Sequence, residues 1–188
     1  SQIDVMAPSW SIGILERMPE INECIDLPFK HKEFKLAMRR QVGKNLRDKK
    51  YDQAYILPNS WKSALIPFFA KIPIRVGFKG ESRYGLLTDL KKLDKQALPL
   101  MIDRFLSLGV SKIKKPTTSD IPSYKNKEIY YPKLKSTKTT QDTLLKRFKH
   151  KKPNKKVLSL CPGAAFGPAK QWPAEHHAEV ANKMLDNN

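Results

Sequence analysis

Cysteine is scarce in this 188-residue chain, which contains only Cys24 and Cys161, far apart in the sequence. Two cysteines are too few for the disulfide framework of a small secreted domain, and their spacing is not that of a metal site. We therefore expect both to be reduced, buried thiols of a cytosolic protein.

Long apolar runs are also missing. No stretch approaches the roughly 20 apolar residues that a bilayer-spanning helix requires. Residues 1–6 lead directly into a strand-like run, so we expect no secretory signal. The apolar fraction of 40% is still sufficient for a packed core.

Acidic residues are few: 18 Asp and Glu stand against 36 Lys and Arg, which gives a net charge of +18. Such a charge attracts polyanions, namely nucleic acid, an anionic membrane face or a phosphorylated glycolipid. No RNP, zinc-finger, KH or helix-turn-helix signature accompanies it. The charge by itself leaves the partner open.

Short apolar runs alternate with amphipathic segments along the chain. This alternation predicts an α/β fold with a parallel sheet. Extended segments are expected at residues 3–8, 21–27, 51–58, 72–78, 86–90, 129–132 and 157–161. Helices are expected at residues 10–17, 31–50, 61–70, 98–108 and 140–149, and from residue 173.

The periodicity of these helices also predicts which side chains face inward. The inward residues are expected to be Phe34, Met38, Val42 and Leu46 in the second helix, Leu100, Met101, Phe105 and Leu108 in the fourth, and Leu144, Leu145 and Phe148 in the fifth. A solvated basic face is predicted for Lys35, Arg39, Arg40, Lys44, Arg47 and Lys50. Residues 111–127 are expected to form a surface connection and residues 133–139 an interdomain linker.

The segment from Val157 to Pro173 has the pattern strand, glycine-containing loop, helix. Free backbone N–H groups in such a loop and at the helix start favour a phosphate group. Lys170 adds a positive charge nearby. The spacing of Gly163, Gly167 and Lys170 is neither a Walker A loop nor a dinucleotide fingerprint. From spacing alone, phosphate binding and an ordinary strand–helix connection both remain open.

A second polar segment follows the predicted strand at 51–58. It places Asn59, Ser60, Lys62 and Ser63 at the carboxyl end of that strand and the amino end of the next helix. Ligands collect at this edge of open α/β sheets. The alternative is a plain helix cap formed by Asn59 and Ser60.

The amino-acid sequences of both segments resemble motifs of the ADP-heptose:lipopolysaccharide heptosyltransferases, which are bacterial GT-B glycosyltransferases. The residues that carry this resemblance are Pro162-Gly163-Ala164-Ala165-Phe166-Gly167-Pro168-Ala169-Lys170-Gln171-Trp172-Pro173 and Leu57-Pro58-Asn59-Ser60-Trp61-Lys62-Ser63-Ala64-Leu65. The resemblance covers essentially the whole chain. One departure is Ala165, where close relatives usually have Glu.

The resemblance implies two Rossmann-like parallel-sheet domains. Residues 1–135 would be most of the N-terminal, acceptor-side domain, without its first strand and helix. Residues 136–188 would be the start of the C-terminal, ADP-heptose-binding domain. The chain is therefore expected to be a fragment without transferase activity of its own.

The implied reaction moves heptose from ADP-heptose to the heptose/Kdo inner core of lipopolysaccharide, with inversion and without a metal or other cofactor. Donor binding is implied for Gly163, Ala164, Ala165, Phe166, Gly167, Lys170 and Trp172, and acceptor binding for Asn59, Ser60, Lys62, Ser63, Arg75 and Arg83. Lys170 would stabilise departing ADP, whereas the family's general base, an Asp, lies outside this chain. Glu81 and Tyr84 also resemble positions near the cleft.

The same resemblance implies a cytoplasmic enzyme, peripheral at the inner face of the bacterial inner membrane, that meets a Kdo- and heptose-bearing lipid A acceptor. Alternatives are another heptosyltransferase or another nucleotide-sugar GT-B enzyme. Outside enzymes, the net charge leaves a basic nucleic-acid-binding module as the alternative.

Overall fold

The structure is a computed structural model that describes residues 2–29, 33–111, 113–122, 131–151, 154, 156–164 and 167–186. The chain divides into two compact units, Ser1–Lys135 and Ser136–Asn188. Each unit is described below by itself. None of the helices in the described ranges is long and apolar enough to cross a bilayer.

The first unit alternates strands and helices, as predicted. Its strands are β1 (Asp4–Ala7), β2 (Glu23–Asp26), β3 (Gln53–Tyr55), β4 (Ile74–Phe78) and β5 (Asp89–Lys91). Its helices are α1 (Ser9–Leu15), α2 (Leu36–Asn45), α3 (Leu65–Phe69) and α4 (Met101–Leu108), with 3-10 turns at Leu46–Lys49, Trp61–Ala64 and Thr118–Asp120. The α/β class is confirmed.

All described strand pairs are parallel, but they form two sheets. β1 pairs with β2, and β3, β4 and β5 form a three-stranded sheet with β4 in the centre. A central parallel strand is covered on both faces. Accordingly Val76, Gly77 and Phe78 of β4 are all buried, and on one face Val76 and Phe78 pack with Leu108 of α4.

The predicted inward face of α2 is wrong for Phe34 and Met38, whereas Val42 and Leu46 are half-buried. Phe34 and Met38 are exposed, whereas Arg39 and Gly43 are the buried residues of the helix. The reason is the close approach of α3: a Cβ added at Gly43 would lie only 2.6 Å from the Cβ of Phe69. Only glycine permits this contact, so the side of α2 that carries it turns inward. His31, at the predicted start of this helix, lies outside the described residues.

Burial of Arg39 is compensated by backbone acceptors. Its guanidinium donates to the carbonyl oxygens of Phe34 (2.6 Å), Glu33 (3.1 Å) and Lys62 (3.3 Å), and it lies 4.1 Å from the ring centre of Phe29. Burying a charge without such partners would be costly. Arg39 is therefore an interior residue rather than part of a solvated basic face.

The predicted inward face of α4 is also wrong, apart from Leu108. The exposed residues include Leu100, Met101 and Phe105, and the buried ones are Asp103, Ser107 and Leu108. Ser107 tolerates burial because its hydroxyl donates to the Arg104 carbonyl oxygen at 2.9 Å. Hydrophobic periodicity cannot anticipate a polar residue that satisfies its own hydrogen bond.

Residues 111–127 were predicted to be a surface connection, and in part they are core. Ile121 packs with Leu98 and Val110, and Pro116 is wholly buried. The adjacent 3-10 turn is held by a capping box between Thr117 and Asp120. Residues 123–130, including the first half of the extended segment expected at 129–132, lie outside the described residues.

The second unit contains α5 (Lys138–Arg147), a 3-10 turn at Pro168–Lys170 and α6 (Ala174–Asp186). The helix predicted at 140–149 begins slightly earlier: Thr137 is its N-cap, and the Thr137 hydroxyl accepts from the Thr140 N–H at 3.1 Å. The predicted inward residues Leu144 and Phe148 are exposed. The helix predicted from residue 173 is confirmed as α6.

The strand predicted at 157–161 is not formed. Residues 157–161 are irregular and exposed, and Val157 is 68% exposed. A strand obtains its hydrogen bonds from neighbouring strands, and the described part of the second unit contains none. For the same reason Cys161, predicted to be a buried thiol, is exposed, whereas Cys24 is half-buried.

Candidate functional site

The carboxyl edge of the three-stranded sheet carries two loops in contact with each other. Loop A, residues 57–63, follows β3, and loop B, residues 79–85, follows β4. Because β3 and β4 are parallel neighbours, both loops leave the sheet at the same edge. The structure thereby brings together Asn59, Ser60, Ser63 and Arg83, which sequence reasoning had placed at an acceptor site.

Arg83 of loop B is wholly buried beneath loop A. Its guanidinium donates to the carbonyl oxygens of Pro58, at 2.8 Å, and Phe78. It also reaches Asn59 Oδ1 at 3.4 Å and Ser63 Oγ at 3.5 Å. Burial lowers the pKa of Arg83, and the nearby Glu81 carboxylate opposes that shift. The buried cation is thus bonded to loop A and to the end of β4, below the surface.

Glu81 caps the helical segment that begins in loop A. Its Oε2 accepts from the Trp61 N–H at 2.9 Å, and its own N–H donates to the Asn59 carbonyl oxygen at 3.1 Å. Asn59 and Ser60 were the predicted caps, but Ser60, at the N-cap position, makes no side-chain cap bond. Ser63 Oγ instead donates to the Ser60 carbonyl oxygen at 2.6 Å.

A third segment, after β2, reaches the same edge. The rings of Phe34 and Trp61 stack with centroids 5.9 Å apart. Lys62 Nζ donates to the Glu33 carbonyl oxygen at 3.2 Å. Both aromatic rings are partly exposed, at 46% for Phe34 and 39% for Trp61. The edge therefore offers polar groups of loop A beside a partly exposed aromatic pair and the Lys62 ammonium.

Arg75 was placed with the acceptor residues, but the structure does not bring it to this edge. It lies near the amino end of β4, where its guanidinium donates to the carbonyl oxygens of Leu86, at 2.6 Å, and Ile72. Its backbone N–H donates to Thr88 Oγ1 at 2.7 Å. These bonds connect the start of β4 to the segment before β5.

In the second unit, the loop between residues 157 and 173 contains the predicted donor residues. Gly167 has φ of +112°, a conformation that favours glycine. A 3-10 turn follows and ends at Lys170, whose N–H donates to the Gly167 carbonyl oxygen at 3.2 Å. Gly163 and Lys170 are exposed and Ala164 is half-buried. The predicted donor residues Ala165 and Phe166 lie outside the described residues.

Trp172 joins this loop to the first turn of α6. Its ring centre is 5.5 Å from that of His176 and 4.8 Å from that of His177. The loop end is thus fixed by ring packing, and the two histidines take part in that packing. Trp172 remains 51% exposed, so one side of the indole is accessible to a ligand of the loop.

Sequence reasoning missed the roles of Glu81 and Arg39. Glu81 caps a segment that starts 20 residues earlier in the chain, so the spacing of a local capping box could not reveal it. Arg39 was assigned to a solvated face. The only local signal was Gly43, one helical turn later, which marks a close helix contact.

The fold, together with a structural comparison, defines a class. The first unit is a parallel α/β unit with polar loops at the carboxyl edge of its sheet, an arrangement that GT-B glycosyltransferases share with other open-sheet folds. Comparison with a solved structure identifies the GT-B class. The structure of E. coli ADP-heptose lps heptosyltransferase II matches with a TM-score of 0.81 and 43% sequence identity, covering 100% of this chain and 53% of that one.

The sequence comparisons agree with the structural one. The profile of glycosyltransferase family 9 (heptosyltransferase) matches residues 39–188. Lipopolysaccharide heptosyltransferase 2 of Escherichia coli is 45% identical over 98% of this chain and 51% of the relative. Lipooligosaccharide heptosyltransferase 2 of Haemophilus ducreyi is 43% identical, over 99% of this chain and 52% of the relative. The chain spans about half the length of the curated relatives it matches.

This chain belongs to glycosyltransferase family 9, the heptosyltransferases. The family resemblance predicted from the sequence is confirmed, and within the family the similarity is to heptosyltransferase 2.

Proposed function

We propose that the protein carrying this chain transfers heptose from ADP-heptose to the heptose/Kdo inner core of lipopolysaccharide, with inversion at the anomeric carbon. The observation that carries this proposal is similarity along nearly the whole chain to proteins named heptosyltransferase 2. Both ligand loops lie within the similar region. The family assignment favours this enzyme over a nucleic-acid-binding module.

In the proposed reaction, the acceptor hydroxyl attacks the anomeric carbon and ADP departs. The loop from Gly163 to Trp172 would hold the donor, with Ala164, Ala165, Phe166 and Gly167 beside the diphosphate. The Lys170 ammonium would oppose the charge that develops on departing ADP. The proposal includes no metal, and no residue of this chain is assigned as the general base.

The acceptor would bind at the carboxyl edge of the first unit. Loop A supplies hydroxyl and amide groups from Asn59, Ser60 and Ser63 and a cation from Lys62. The site assignment carried over from the family also includes Arg75 and Arg83. We further propose that exposed cations hold the protein at the anionic cytoplasmic face of the inner membrane, where a lipid A-linked acceptor is located.

Lys170→Ala in the full-length protein tests the donor site. We expect kcat/KM for ADP-heptose to fall about 10- to 1000-fold, because one group that stabilises the leaving-group charge is lost. Lys170→Arg should restore only part of the rate, since a planar guanidinium does not replace a compact ammonium. Steady-state kinetics and thermal melts of both variants are the measurements.

Lys156→Ala, which removes an exposed lysine before the same loop, is the matched control and should leave kcat/KM unchanged. A Lys170→Ala variant with wild-type kcat/KM would remove Lys170 from the mechanism. A wild-type protein that transfers no heptose from ADP-heptose would overturn the proposed function itself.

A further inference from the structure

Loop B meets loop A through contacts that hold loop A but leave its polar side chains near the surface. Gly80 makes this approach possible: it has φ of +46°, and a Cβ there would lie 2.3 Å from the Asn59 carbonyl oxygen. Gly77 likewise leaves room for the Arg83 guanidinium, whose Nη2 would lie 3.3 Å from an added Cβ. The sequence of loop B is thus fitted to the backbone of loop A.

The contacts are made to the backbone at three successive points of loop A. Arg83 donates to the Pro58 carbonyl oxygen, Glu81 N–H donates to that of Asn59, and the Glu81 carboxylate accepts from the Trp61 N–H. Backbone bonds at residues 58, 59 and 61 fix where the Asn59 and Ser60 side chains start. Arg83 also reaches the side chains of Asn59 and Ser63 directly.

Arg83 cannot contact a ligand at the surface of this structure, because the whole residue is buried. Glu81 is exposed, but its carboxylate is engaged with the amino end of the helical segment. Neither side chain is therefore arranged as a direct ligand of an acceptor. Both side chains instead hold the conformation of loop A, the loop that would bind the acceptor.

We propose that Glu81 and Arg83 are positioning residues that set the conformation of loop A for the acceptor. This inference rests on the proposed function for the identity of the acceptor, but not for the hydrogen bonds themselves. It assigns to Arg83 a different role from the direct acceptor contact implied by family resemblance. Since the donor loop lies in the other unit, the effect should be confined to acceptor binding.

Glu81 offers the sharper test, because an exposed side chain can be changed without leaving a buried charge unpaired. In the full-length protein, Glu81→Ala should raise the acceptor KM about three- to tenfold, the range expected for loss of a helix cap, and leave the KM for ADP-heptose unchanged. Glu81→Gln retains an oxygen that accepts from Trp61 N–H, so its acceptor KM should stay near the wild-type value. Glu20→Ala removes another exposed carboxylate of the first unit and is the matched control.

Hydrogen exchange of the Trp61 backbone amide supplies a readout that is independent of activity. It should accelerate in Glu81→Ala and remain slow in Glu81→Gln and Glu20→Ala. The inference is overturned if Glu81→Gln loses as much acceptor affinity as Glu81→Ala, because the carboxylate would then act on the substrate directly. It is also overturned if Glu81→Ala changes neither Trp61 exchange nor the acceptor KM. A wild-type protein inactive with ADP-heptose would instead overturn the proposed function.

Discussion

Gly80 is a residue at which the backbone of loop B closely approaches that of loop A. Gly80 and Gly85 both lie in loop B with positive φ, +46° and +76°, but their surroundings differ. Gly85 has no neighbouring atom within 4 Å of an added Cβ, whereas Gly80 faces the Asn59 carbonyl oxygen. Comparing alanine variants at these two glycines therefore separates the free-energy cost of a left-handed backbone from the cost of a steric overlap.

Gly85→Ala should lower the free energy of unfolding by about 1 kcal/mol, since alanine is disfavoured in the left-handed region. Gly80→Ala should cost that amount and about 1 to 3 kcal/mol more, because backbone atoms of loop A would have to move. Urea unfolding of both variants in the full-length protein measures the difference. Equal losses would show that the loops can separate without cost.

At the scale of elements, the two sheets of the first unit are joined by a side-chain bond rather than a continuous ladder. The Tyr51 hydroxyl, just before β3, donates to Asp4 Oδ2 of β1 at 2.5 Å. The bond from Tyr51 lowers the pKa of Asp4, with further help from Asn22. Burial, followed by the bond to Asp4, raises the pKa of Tyr51.

Tyr51→Phe should destabilise the protein by about 1 kcal/mol at neutral pH, a value reduced from that of a buried charged hydrogen bond because Asp4 is partly exposed. The Asp4 contribution is present above its unfolded pKa near 4 and is lost as pH falls through its lower folded pKa. The Tyr51 contribution is present below the unfolded pKa near 10 and is lost as pH rises through the higher folded value.

The stability difference between wild type and Tyr51→Phe should therefore be flat between about pH 5 and pH 9 and shrink in acid. Urea unfolding of both proteins from about pH 2 to about pH 9 is the measurement. A difference that stayed constant down to pH 2 would show that the Asp4 charge does not contribute to the joint between the sheets.

At the scale of the whole molecule, the net charge of +18 is the dominant physical feature. Among the six residues predicted to form a basic face on α2, Arg39 is interior, whereas Arg40 and Lys44 are exposed. Each exposed cation near an anionic membrane surface contributes about 1 kcal/mol, and salt screens this attraction.

The full-length protein should co-sediment with vesicles that contain anionic lipid, and the bound fraction should fall as salt rises. Arg40→Glu with Lys44→Glu should reduce binding more than Lys92→Glu with Lys95→Glu, which changes the net charge equally elsewhere on the first unit. Binding that is indifferent to lipid charge and salt would contradict the membrane proposal. Equal losses in the two double variants would show that α2 has no special role.

Much of the first unit could be predicted because its signals are local. The short runs closed by Pro8, Pro28 and Pro58 predict β1, β2 and β3, and these strands form because each has a parallel neighbour to bond with. The position of loop A followed from the same logic, because the loop after a parallel strand lies at the ligand-binding edge.

The tertiary structure decided which faces are buried and which groups are bonded. Periodicity assigned Phe34 and Met38 to the interior, but the contact at Gly43 turned α2 the other way. The apolar run at 157–161 satisfied the pattern of a strand, yet a strand requires a partner, and the described part of the second unit has none. In both cases the outcome depends on contact with a segment that is distant in the sequence.

The sequence by itself determined the family, the alternation of strands and helices in the first unit, and the position of loop A after β3. It could do so because secondary-structure propensities, proline and glycine positions and short sequence motifs each depend on a few neighbouring residues. The tertiary structure alone decided that Arg83 is interior, that Glu81 caps Trp61 and that Arg75 lies away from loop A. Those facts depend on distances between segments far apart in the chain, and such distances are set only when the segments pack.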